Sequence, residues 1–170
     1  VVQGKEMSYN NYLDAEAAVI AAFDHDGPAV AIIKHQNPCG TARADSVVQA
    51  YRAAHACDPL SAFGGVIALN RALDADTAEA IAEVFTEVVI APAVTPDAQA
   101  VLGSKKNLRL VQLPPNFAPK TRDVRFISGG FVVQSPDHDF LAPSRWQRVA
   151  GPDVDEKTMI SLDFAVRAVK

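Results

Sequence analysis

Pro28-Ala29-Val30-Ala31-Ile32-Ile33-Lys34-His35-Gln36-Asn37-Pro38-Cys39-Gly40 is the stretch on which the reading of the chain turns. Ala29 to Ile33 are apolar without a break, bounded by Gly27-Pro28 and by Asn37-Pro38. A short continuous apolar run between turn signals fits a strand covered on both faces, as in a mainly parallel sheet. A cation, an imidazole, an amide, a rigid ring, a thiol and a glycine then follow almost without spacing. Open α/β sheets place ligand sites at the carboxyl ends of their strands, so chemistry is expected at this turn.

Outward from this stretch the chain alternates strands and helices. On the N-terminal side, Val1 to Asn11 reads as a polar loop rich in side-chain donors, and a helix is expected from Asp14 to about Phe23, where Asp24-His25-Asp26-Gly27-Pro28 stops it. On the C-terminal side, Asp45 to about Ala56 reads as a helix capped by Ser46 or Asp45. Asp58 to Gly65 is a special loop, whose Gly64-Gly65 pair permits conformations or close approach that other residues resist. Strands are expected at 66–69, 87–92 and 108–113, and helices at 74–85 and 95–102, the latter with Thr95 as cap and Pro96 in its first position. This is the rhythm of a layered α/β domain with short connections. It breaks at Pro114-Pro115-Asn116-Phe117-Ala118-Pro119, which fits neither a helix nor a central strand. The division is therefore 1–113, a connector at 114–123, and a following segment at 124–170. In that segment, Arg125 to Gln134 reads as strand material broken by Gly129-Gly130, 145–149 as a strand, and 155–170 as an amphipathic helix. A helix reaching the last residue without a stop signal suggests a piece of something longer.

With 170 residues, 49% of them apolar and 21% charged, the composition is that of a soluble globular domain. A formal net charge of −4 gives no reason to expect nucleic acid or an anionic membrane as partner. No apolar run approaches membrane-span length. Cys39 and Cys57 have no C-x-x-C spacing, which suits a reduced, cytoplasmic setting.

Lys34-His35 is the first pair to weigh. Neighbours in a regular strand point to opposite faces, so both serve one site only if the strand has ended. An adjacent ammonium favours neutral imidazole, the form a base requires. The same pair also fits a solvated strand end. Cys39 could act as a nucleophile with His35 as its base, or pack as a small apolar thiol under the turn. A metal site is not expected, because Cys39 lacks the P-C-x-x-C and H-x-E partners of a zinc deaminase. His25, His55 and His138 are isolated and read as structural. Glu87, opening a strand, could accept from amino groups of a ligand or sit as a solvated charge.

Taken together, six ordered motifs resemble one family across essentially the whole chain. They are Gly4-Lys5-x-x-Ser8-Tyr9-Asn10-Asn11, Lys34-His35-x-Asn37-Pro38-Cys39-Gly40 and Asp58-Pro59-x-Ser61-Ala62-Phe63-Gly64-Gly65, then Glu87-Val88-Val89-Ile90-Ala91-Pro92, Lys105-Lys106-Asn107-Leu108-Arg109 and Gly129-Gly130-x-x-x-Gln134. The set is similar to the first part of the transformylase half of AICAR transformylase/IMP cyclohydrolase, the bifunctional purine-biosynthesis enzyme. The resemblance implies a layered, cytidine-deaminase-like α/β fold, with helices packed on a mixed sheet and without the deaminase zinc. It implies formyl transfer from the co-substrate 10-formyl-tetrahydrofolate to the 5-amino group of AICAR, giving FAICAR. It assigns His35 as the base and Lys34 as the group stabilising the tetrahedral intermediate or protonating the leaving folate nitrogen. Gly64, Glu87 and Asn11 fall on the nucleotide, and Cys39 receives no role. It further implies a homodimer with active sites formed between subunits.

The chain departs from that pattern in what it omits. The Arg-Tyr-Gly stretch that helps hold the nucleotide, the cyclohydrolase domain and the segment with the family's catalytic asparagine are not in it. Most folate and phosphate contacts are expected in the missing C-terminal part, and a fragment ending here is expected to be inactive alone. Two other readings stand beside this one: a Cys39/His35 acyl-transfer or hydrolase site, and a non-catalytic scaffold.

Overall fold

The computed structural model describes residues 1–118, 122–137 and 141–169, in two compact units, Val1–Phe117 and Ala118–Lys170. His138, read above as structural, lies outside the described residues.

The first unit is a five-stranded sheet with helices on both faces. Its strands are β1 (Ala29–Lys34), β2 (Asn37–Arg43), β3 (Gly65–Leu69), β4 (Thr86–Ala91) and β5 (Arg109–Gln112), in the order β2-β1-β3-β4-β5. Its helices are α1 (Tyr9–Phe23), α2 (Val47–Cys57), the single turn α3 (Pro59–Ala62), α4 (Ala75–Ala82) and α5 (Pro96–Gly103). β1 runs antiparallel to both β2 and β3, whereas β3, β4 and β5 are mutually parallel. The sheet is thus mixed, and the mainly parallel surroundings expected for β1 are not what it has. The cause is the turn at 35–36, which folds β2 straight back along β1. α2 and α3 then carry the chain over to β3, on the other side of β1.

The unbroken apolar run of β1 has its explanation in this layering. Val30 and Ile32, with Ile67, Leu69, Val89, Ala91 and Leu110, face a cluster supplied by α2, α4 and α5. Ala31 and Ile33, with Val66, Ala68, Val88 and Ile90, face Ala18, Val19 and Ala22 of α1. Each valine, leucine or isoleucine side chain so covered contributes roughly 1.5–3 kcal/mol relative to exposure. On the edge, Gly40 lets α2 approach β2 closely: a Cβ there would lie 1.9 Å from the Ala54 carbonyl oxygen.

Several elements differ from the sequence expectation for local reasons. α1 begins at Tyr9, because Ser8 Oγ accepts the Asn11 amide while Asn11 Oδ1 accepts the Ser8 amide. This is a capping box with Asn in the place usually held by Glu or Gln. Of the loop expected from Val1 to Asn11, residues 9–11 are therefore the first turn of the helix. Residues 37–43 form β2, with Pro38 on the sheet edge, where its missing N–H is tolerated. α2 takes Ser46 as its cap.

The second unit holds a hairpin of β6 (Asp123–Ile127) and β7 (Gly130–Gln134), a 3-10 turn at Pro143–Arg145 and the helix α6 (Glu156–Ala168), capped by Asp155. The strand expected at 145–149 does not form. The Trp146 amide instead donates to Pro143 O at 3.0 Å and its indole to Leu141 O at 2.7 Å, so both of its N–H groups are satisfied locally. No helix among the described residues is long and apolar enough to cross a membrane.

Candidate functional site

Because β1 opposes its inner neighbours, its carboxyl end lies beside the amino ends of β3, β4 and β5. The amino end of α1 comes to the same place, where Asp14 Oδ1 accepts the Gln36 amide at 2.7 Å. The five residues given a role by the resemblance (Asn11, Lys34, His35, Gly64 and Glu87) therefore lie at one end of the sheet. It is the carboxyl end for β1 alone.

Lys34 closes β1 half-buried, with Nζ donating to Phe63 O at 2.8 Å. That bond ties the ammonium to the loop carrying Gly64. Gly64 has φ +72°, in the left-handed region that glycine adopts without strain. Its own N–H is donated to Phe85 O at 2.7 Å, and the Phe63 and Phe85 rings lie 5.2 Å apart. His35 follows Lys34 in the turn, with an exposed side chain. Its ring makes no hydrogen bond among the described residues, so it is open to a ligand.

A second cluster gathers around Glu87. Strict alternation would put Glu87 on the sheet face of Val89, toward α2 and α4. A register shift instead leaves Glu87 as an extra residue, because Gly65 pairs with Thr86 and Val66 with Val88. Such a bulge re-aims a side chain. Glu87 Oε2 consequently receives Asn11 Nδ2 at 3.2 Å and Arg109 Nη1 at 3.1 Å. Arg109 also donates Nε to Glu6 O at 2.9 Å. The Glu87 side chain is 37% exposed against 14% for Arg109, which leaves the carboxylate accessible while the guanidinium is enclosed. Asn11 is buried, and its amide oxygen is already taken by the Ser8 cap. Among the described residues, no hydrogen bond joins this cluster to Lys34 or His35. Phe85, which accepts from Gly64 two residues before Glu87, is the link between them.

Cys39 sits in β2 at the bulge between Ile32 and Ile33, half-buried against the cluster under α2. Burial, and then the nearby Asp58 carboxylate, push its thiol above the ordinary value, with Lys34 only partly offsetting them. A nucleophilic thiolate requires a shift in the other direction. Among the described residues no three of His, Cys, Asp and Glu gather as a metal-binding group. His25 is buried in the turn before β1, where its carbonyl accepts from Asn70 Nδ2, and His55 on α2 lies against the Tyr51 ring.

A family model described as the AICARFT/IMPCHase bienzyme matches residues 1–170. The chain belongs to the AICARFT/IMPCHase bienzyme family. Among curated relatives, it is 47% identical over 173 residues to the bifunctional purine biosynthesis protein PurH of Cutibacterium acnes, covering 99% of this chain and 33% of that protein. It is 44% identical over 171 residues to the protein of the same name from Cyanothece sp., again covering 99% and 33%. The one from Chelativorans sp. is 47% identical over 174 residues, covering 99% and 32%. The chain thus spans about a third of the length of these relatives.

Two residues that shape this site received no role from the sequence. Arg109 stands in the Lys105–Arg109 motif, but its meeting with Glu87 depends on the pairing of β4 with β5. Asp14 reads as an ordinary early-helix acid. Only the fold brings it to the 35–36 turn.

Proposed function

We propose that this chain carries the base-bearing part of a formyl-transfer site, acting on 10-formyl-tetrahydrofolate and AICAR to give FAICAR in purine synthesis. The observation that carries the reading is the β1–β2 turn: an exposed His35 beside a Lys34 ammonium fixed to the Phe63-Gly64 loop, in a chain matched over its whole length by the family. The AICAR amine is a weak nucleophile because its lone pair is delocalised into the imidazole carboxamide. His35 takes a proton from that amine as its nitrogen bonds to the formyl carbon. Collapse of the tetrahedral intermediate breaks the bond from that carbon to folate N10, which leaves with a proton. Lys34 stabilises the oxyanion or delivers that proton. A positioned base contributes about 10²–10⁴-fold, and charge stabilisation a comparable factor. Glu87, with Oε2 held by Asn11 and Arg109, accepts from a ligand's amino group, and Gly64 keeps the backbone open to the nucleotide.

The β2-β1-β3-β4-β5 order supports a cytidine-deaminase-like ancestry for the first unit. The wider protein, by the same resemblance, is a cytoplasmic homodimer with shared sites and a cyclohydrolase domain. The full-length protein carrying this chain is expected to form FAICAR and tetrahydrofolate in equal amounts, and its Cys39→Ala variant to keep that activity. Absence of FAICAR from full-length protein supplied with both substrates would overturn the assignment. Loss of turnover in Cys39→Ala with Lys34→Ala intact would favour thiol chemistry instead.

A further inference from the structure

His35 and Gln36 are the non-glycine residues with positive φ among those described, at 56° and 64°. They form the two-residue link between Lys34 and Asn37, which pair across the hairpin. Two successive left-handed residues give the turn that suits the right-handed twist of a hairpin, usually with Asn-Gly or Asp-Gly. His and Gln carry a Cβ that resists this conformation, so the turn is held against local preference. One restraint is internal: Asn37 Nδ2 donates to His35 O at 2.9 Å. The other comes from 22 residues away, where Asp14 Oδ1 accepts the Gln36 N–H at 2.7 Å. That length is characteristic of a hydrogen bond assisted by charge. Asp14 and Asn11 are three apart on α1 and so share a side of the helix. Asn11 fixes that helix end to Glu87, and Asp14 fixes the turn to the helix. Between them, Asn10, Leu13, Asp14, His35 and Gln36 line a small cavity of about 130 Å³.

We propose that Asp14 is a positioning residue for the His35 turn. Its carboxylate holds the left-handed pair in place through the Gln36 amide and so sets the direction of the imidazole. With the His35 ring making no hydrogen bond of its own among the described residues, the backbone is what aims it. This differs from a carboxylate bonded to the imidazole itself, as in a Ser-His-Asp triad. The inference rests on His35 being the base for formyl transfer.

The test uses the full-length protein and combines turnover with amide exchange at Gln36. Asp14→Ala is expected to lower kcat about 10–100-fold, the scale of a small misplacement of a reacting group, with KM for AICAR nearly unchanged. Asp14→Asn keeps an acceptor oxygen and should retain most of the turnover. In the double variant Asp14→Ala/Gln36→Gly, glycine adopts positive φ without help, and most of the lost kcat should return. Wild-type turnover in Asp14→Ala, or a double variant no better than the single one, would overturn the proposal. The Gln36 amide should exchange slowly in the wild type and faster in Asp14→Ala, whether or not the protein transfers formyl groups. Should the wild type lack that activity, the base assignment falls. Unchanged Gln36 exchange would then overturn the positioning role separately.

Discussion

Glu87 shows how one inserted residue can turn a solvated strand-end charge into an oriented acceptor. Without the bulge its carboxylate would point toward α2 and α4, away from Asn11 and Arg109. With it, two donors occupy Oε2 and the group remains partly open to solvent. The sequence identified Glu87 as an acid opening a strand, but not the Arg109 partner, because that contact depends on strand order and register. A different residue carries a pH prediction. Tyr51, buried between α2 and the sheet, has its phenol pushed up to about 12, first by burial and then by the charge of Glu83. An unfolded phenol ionises near 10. Between pH 10 and 12 the unfolded chain releases this proton and the folded chain keeps it, so stability falls as pH rises. The contribution is complete below pH 10 and amounts to about 2–3 kcal/mol. Urea midpoints measured from pH 8 to 12 should drop less for Tyr51→Phe than for the wild type. An equal drop in both would contradict this environment for Tyr51.

At the scale of elements, the β1–β2 hairpin and the start of α1 build the site, and both were hidden from the sequence. Asn37-Pro38 reads as the end of a strand, yet Pro38 occupies an edge strand, and the turn before it is made by His35-Gln36 without the usual Asn or Gly. Ser8-Tyr9-Asn10-Asn11 reads as a polar loop, yet its polarity is spent on capping. The apolar runs of β1, β3 and β4 and the caps Ser46 and Thr95 were legible, because continuous burial and capping are local signals. Which strand neighbours which is not a local property. The closeness of α2 to the hairpin gives a direct check. Gly40→Ala places a methyl group 1.9 Å from Ala54 O, so either α2 or β2 must move. A loss of about 1–3 kcal/mol is expected, read as a lower denaturant midpoint. An unchanged midpoint would contradict the close packing of α2 on β2.

At the scale of the whole molecule, each unit leaves large apolar side chains exposed. Tyr9, Tyr12, Leu60 and Phe63 are exposed in the first unit, and Phe126, Phe131 and Val132 in the second, in a chain about a third as long as its curated relatives. Within the first unit, antiparallel β1 delivers Lys34 and His35 to the same end of the sheet as Gly64 and Glu87, while the Cys39 thiol is held protonated against the core. Supplying the base for formyl transfer is the role we propose for the β1–β2 turn. Its most direct test is kcat for FAICAR formation by the full-length His35→Ala variant, with AICAR binding measured on the same sample. A fall of about 10²–10⁴-fold in kcat is expected, with AICAR affinity within a few-fold of wild type. Wild-type turnover in His35→Ala would contradict it.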